Sequence, residues 1–82
     1  MTISEKPEIG GLYRYTSIIS TSIWDSLEDN GKILGHIKKN DLFVILETVE
    51  SNQLQKLFTL KALHIDGSIG YFACYNYELE AL

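Results

Sequence analysis

The hydrophobic pattern is densest in residues 36–47, HIKKNDLFVILE, where a charged turn runs into the most apolar stretch of the chain. In Leu42 to Leu46 both alternation faces are apolar, with Leu42, Val44 and Leu46 on one and Phe43 and Ile45 on the other. The pattern predicts a strand covered on both sides, since a half-exposed strand would alternate with polar residues. The run is short for a helix, and β-branched Val44 and Ile45 favour extended backbone. Ahead of it, Lys38, Lys39, Asn40 and Asp41 predict a turn in which Asn40 is best able to take positive φ.

Weaker period-two signals flank this strand. Tyr13 and Tyr15 share one face of residues 12–16 and Leu12 and Arg14 the other, so the tyrosines serve cross-strand packing or a recognition surface. Residues 57–65 place Phe58, Leu60 and Ala62 on one face. Leu63 and Ile65 fall out of step, which predicts a bulge near Leu63 or His64. Asp66-Gly67 between Ile65 and Ile69 predicts a two-residue hairpin turn with positive φ at both positions. Ser51, Asn52 and Gln53 mark a polar loop between strands, Tyr71 to Cys74 forms the return strand and residues 78–82 a last short one. Five or so short strands without a long helix predict an all-β chain, a small five-stranded antiparallel barrel.

Residues 17–35 interrupt the pattern. They are rich in Ser, Thr, Asn, Asp and Gly around Ile18, Ile19, Ile23, Trp24 and Leu27, and read as a long loop with a possible helical turn over 24–28. Asp25, Glu28 and Asp29 beside the one tryptophan are either a solvated loop tip or a site that meets a basic residue of a partner. Residues 1–8 offer almost nothing to bury and read as a flexible tail ahead of a domain over 9–82.

Composition narrows the function. At 82 residues there is one core, and a net charge of −4 argues against a sequence-independent grip on nucleic acid. The single cysteine excludes an internal disulfide and fits a reducing compartment. No apolar run approaches the about 20 residues of a membrane helix, so no membrane partner is expected. The expected location is cytoplasmic, or within an assembly such as a virion. Cys74 and His64 are the one Cys/His pair a hairpin could unite for nucleophilic chemistry, but no third group accompanies them. His36, His64 and Cys74 make no zinc spacing, and no phosphate-binding glycine loop is present, so neither metal nor cofactor is expected.

Three motifs in order carry a family resemblance. GLYRYTS at 11–17 resembles the ALYDY motif of Src homology 3 (SH3) domains, HIKKNDLFVILE their FKKGD-strand segment, and DGSIGYFACYNYEL at 66–79 their G-x-x-GY-[IF]-P-S-N-Y ending. The resemblance covers most of residues 11–80 and implies an SH3-like barrel with a long first (RT-type) loop over 17–35, an n-Src loop over 48–56 and a distal hairpin at 66–67. The length of the first loop makes the chain similar to bacterial and viral SH3-like domains. The family binds polyproline-II peptides in an aromatic groove. Tyr13, Tyr15 and Tyr71 match groove tyrosines, and Tyr77 does so if Tyr75 is an insertion. Asp25, Glu28 and Asp29 lie where the family pairs acidic residues with a ligand Arg or Lys. Ala73 stands in place of the groove proline, and the groove tryptophan becomes Phe58, or Thr59 if Ala62 fills the buried alanine position.

The reading that follows is a non-catalytic protein- or peptide-binding module. Its expected surface is Tyr13, Tyr15, Trp24, Asp25, Glu28, Tyr71 and Tyr77, and its expected partner a proline-rich or basic segment. The alternative is a structural subunit of a larger assembly such as a virion component.

Overall fold

A computed structural model describes residues 7–52 and 54–82. Its strands are β1 (Leu12–Tyr15), β2 (Thr21–Trp24), β3 (Ile33–Ile37), β4 (Leu42–Asn52), β5 (Leu57–His64), β6 (Ile69–Tyr75) and β7 (Leu79–Ala81), with a 3₁₀ turn at Asn76–Glu78. They form one curled antiparallel half-barrel sheet in the order β3-β2-β6-β5-β4-β1-β7. The all-β expectation holds, but the strands number seven among the described residues. The two additional strands form the β2–β3 hairpin over residues 21–37, through most of the expected 17–35 loop, and no helical turn forms over 24–28. Their Ser and Thr residues mask the alternation that sets Ile23 and Ile37 into the core, both 0% exposed.

The concave side holds Tyr13, Tyr15, Ile23, Ile37, Phe43, Ile45, Phe58, Leu60, Ala62, Phe72, Cys74 and Leu79. Phe43 stands at its centre, stacked on Tyr13 at 6.2 Å between centroids and edge-on to Phe72 at 5.1 Å. The expectation that β4 is covered on both sides is corrected. Phe43 and Ile45 are buried, whereas Leu42 and Val44 are half-buried and Leu46 is exposed. A single curled sheet has one inside, and among the described residues no second layer lies over the convex face.

β4 runs on to Asn52, through much of the segment expected as loop. Its pairing with β5 shifts register between Ile45 and Glu47 and again between Thr48 and Glu50, so bulges sit at Leu46 and Val49. Each bulge bends and twists the strand, which is how β4 pairs with β1 at one end and follows β5 to the other.

The bulge expected in β5 is absent. β5 keeps strict alternation and pairs without slip from Leu57↔Tyr75 to Leu63↔Ile69. Leu63 therefore faces out and His64 faces in. His64 is tolerated because its Nε2 lies 2.9 Å from Asp41 Oδ2, while Nδ1 is 3.0 Å from Asp66 Oδ1 without hydrogen-bond alignment. Asp66 accepts the Ser68 N–H at 2.8 Å, and its bonds to Ser68, reinforced by His64, hold its carboxyl below the usual range.

The 66–67 turn also differs from expectation. Gly67 alone has positive φ, at +95°, and the Gly67 N–H donates to the His64 carbonyl at 2.9 Å. His64 N–H in turn donates to Ser68 O at 2.8 Å, so the hairpin has a three-residue loop, Ile65 to Gly67, ending in a left-handed glycine. Asn40 does take positive φ, at 76°, with its N–H donating to Tyr15 O at 2.7 Å.

Of the expected tail, residues 1–6 lie outside the described residues. Pro7 is buried, and the Glu8 N–H donates to the Tyr13 hydroxyl at 2.7 Å. The next residues join the sheet margin, with the Gly10 N–H donating to Ile45 O at 2.7 Å. No helix among the described residues is long and apolar enough to cross a membrane.

Candidate partner-binding site

The β2–β3 hairpin carries the acidic tip. Its neck is closed by Asp25, whose N–H donates to Lys32 O at 2.9 Å and whose Oδ1 accepts the Lys32 N–H at 2.7 Å. Within the tip the Gly31 N–H donates to Glu28 O at 2.9 Å, and Ser26 Oγ accepts the Glu28 N–H at 3.1 Å. These bonds leave the side chains of Glu28 and Asp29 exposed to solvent. The hairpin is fastened to the body where Trp24 pairs with Tyr71 of β6. Gly70 permits that approach, since a Cβ there would lie 2.4 Å from the Trp24 carbonyl oxygen.

Two open clefts flank the tip. One, of about 320 Å³, runs between Trp24 and the loop, with Leu27, Glu28 and Asp29 along it. The other, of about 280 Å³, lies between the tip and the sheet, bounded by Asp25, Leu27, Glu28, Glu47, Val49 and Tyr71. Carboxylates thus line both clefts, beside Trp24 in the first and Tyr71 in the second, and Trp24 is 38% exposed. One cation is already there: Lys61 Nζ sits 5.8 Å from the Tyr71 ring centroid, and Lys61 is the register partner of both Glu47 and Tyr71.

The structure therefore brings together Trp24, Asp25, Glu28 and Tyr71 of the expected surface, along with Asp29. Tyr13 and Tyr15 lie elsewhere, in the core at 4% and 1% exposed. The Tyr15 hydroxyl donates to Ile19 O at 2.8 Å and lies 3.1 Å from Glu78 Oε2, tying β1 to the following turn and to the 3₁₀ turn. Burial and the neighbouring Glu78 carboxylate raise its pKa to about 12. Tyr77 is 63% exposed and stacks on Tyr75 at 5.3 Å, at the 3₁₀ turn and outside the clefts. Phe58 is a core residue, and Thr59 faces Ala73 across the β5–β6 pair, so neither supplies an exposed aromatic wall.

Sequence reasoning missed Glu47 and Val49. Both owe their position to the two β4 bulges, which no local pattern announces. Cys74 and His64, considered as a reactive pair, stand far apart. Cys74 pairs with Phe58, six residues up β5 from His64, or about 20 Å at strand spacing. Burial raises the Cys74 thiol pKa well above the ordinary value, which disfavours the thiolate. Among the described residues no group of three or more His, Cys, Asp or Glu is placed to hold a metal ion.

No family model, characterised protein or solved structure matches the chain.

Proposed function

We propose that this protein is a non-catalytic binding module of SH3-like type that takes a basic protein or peptide segment at the hairpin tip. The observation that carries the reading is the register pairing of Trp24 with Tyr71, each lining a cleft with carboxylates, Glu28 and Asp29 beside Trp24 and Asp25, Glu28 and Glu47 beside Tyr71. An aromatic ring gives a ligand side chain apolar area, and the carboxylates beside it select a cation. A guanidinium suits both demands, being flat enough to stack and rich in donors. Support for the SH3-like reading comes from the long excursion between β1 and β4, the hairpin at Asp66-Gly67 and the ordered motifs. With Tyr13 and Tyr15 in the core, the contact surface is narrower than the resemblance alone implies. The assembly-subunit reading is favoured by a different feature, the exposed apolar residues of the convex face.

Charge neutralisation at the tip tests the site. Asp25→Asn keeps the oxygen that accepts the Lys32 N–H, so with Glu28→Gln it removes two charges and leaves the hairpin intact. Affinity for an arginine-rich peptide should fall by about 1 kcal/mol, roughly five-fold, and its salt dependence should flatten. Unchanged affinity and salt slope in the folded double variant would place the contact elsewhere.

A further inference from the structure

We infer that Lys61 is a built-in occupant of the cleft between the acidic tip and the sheet, and that a basic segment binds there by displacing it. The inference rests on the binding-module reading and names how that same site is regulated. The register sets Glu47 of β4, Lys61 of β5 and Tyr71 of β6 side by side in one row. The two outer members of the row line the cleft, together with Asp25, Leu27 and Glu28 of the tip and Val49. Lys61 stands between them, half-buried, with Nζ over the Tyr71 ring at 5.8 Å from its centroid.

Charge and position make this ammonium a stand-in for the ligand. It is a cation within the about 6 Å over which an aromatic ring attracts one. The cleft beside it carries three carboxylates, those of Asp25, Glu28 and Glu47. An arriving lysine or arginine is drawn by the same ring and the same negative field, and two cations held together there repel. Among the described residues that wall the two clefts none is a cation. Lys32, at the neck of the hairpin, meets Asp25 through its backbone. Lys61 is therefore the cation that a ligand must move.

Displacement has a thermodynamic signature. An exposed cation–ring contact favours the occupied state over the vacated one by about two- to five-fold, and the apparent affinity of a ligand falls with the vacated fraction. That penalty belongs to Lys61, so it is common to arginine and lysine ligands. A guanidinium overcomes it best, because it stacks on the ring and donates to the carboxylates at once.

Lys61→Met keeps the apolar stem and removes the charge. Titrated at low salt with a proline-rich, arginine-flanked peptide, the variant should bind about three- to six-fold more tightly than wild type, and a lysine-flanked peptide should gain by the same factor. Lys39→Met, at an exposed position in the turn ahead of β4, removes an equal charge away from the cleft and should change affinity by less than about two-fold. In wild type the Lys61 ε-methylene signals, shifted upfield by the Tyr71 ring, should move toward those of a free lysine as the peptide saturates the site. That measurement decides the matter should Lys61→Met fail to fold. Peptide shifts on residues 24–31 with the Lys61 ε-methylenes unmoved overturn the displacement and leave the binding reading intact. So does an affinity unchanged by Lys61→Met, or raised as much by Lys39→Met. No binding by wild type and Lys61→Met alike overturns both.

Discussion

Ile45→Asp is expected to unfold the domain, while Val44→Asp one residue away leaves it folded. Ile45 is 0% exposed and packed into the concave core, where a carboxylate has no partner and no water. An unpaired buried charge costs roughly 4 kcal/mol or more, comparable to the whole stability of a chain this small. Val44 points the other way, between Leu12 and Leu63 on the half-exposed face, so its carboxylate reaches solvent and the loss should be about 1 kcal/mol. Urea denaturation followed by Trp24 fluorescence measures both. Equal losses would mean that β4 is buried on both faces, against the one-sided sheet described here.

Tyr15→Ala should be nearly as damaging, at about 3–5 kcal/mol, because it opens a ring-sized cavity in the core and unties β1 from the 3₁₀ turn. Tyr15→Phe keeps the ring and should cost only about 1 kcal/mol for the lost hydroxyl contacts. Tyr77→Ala, at a 63% exposed position, should change the melting temperature little. Alkaline denaturation adds a second signature. Tyr15 ionises near 12 in the fold against 10.0 ordinarily, so the unfolded chain gives up this proton first. Its contribution is intact below pH 10.0 and is lost as pH rises toward about 12. That loss should be missing from Tyr15→Phe. If Tyr15→Ala melts like wild type and weakens partner binding instead, Tyr15 belongs to a recognition surface.

What the sequence revealed and what it hid follow from how far each interaction reaches along the chain. The all-β class, the Asn40 turn and the hairpin at Asp66-Gly67 are written in local alternation and turn residues, and they are present. The β2–β3 hairpin was hidden because its two buried residues, Ile23 and Ile37, lie on separate strands with a tip between them that breaks the period. Phase in β5 was misread because His64 looks polar. Asp41, 23 residues earlier, supplies the hydrogen-bond partner that makes its burial tolerable. The one-sided burial of β4 was unreadable from an all-apolar run, since hydrophobicity does not say whether a second layer exists to cover it. At the site, the acidic tip and Trp24 were legible as a cluster. Its junction with Tyr71 depends on a Gly70 contact across the sheet, and Glu47 enters through a bulge.

Binding of a basic segment beside Trp24, Tyr71 and the acidic tip is tested most directly by titrating the chain with proline-rich, arginine-flanked peptides and following backbone amide and Trp24 indole shifts. Saturable shifts should gather on residues 24–31, Glu47 and Tyr71, with the core positions Tyr13 and Tyr15 and the exposed Tyr77 unmoved. An absence of shifts at millimolar peptide, or shifts centred on Tyr75 and Tyr77, would contradict it.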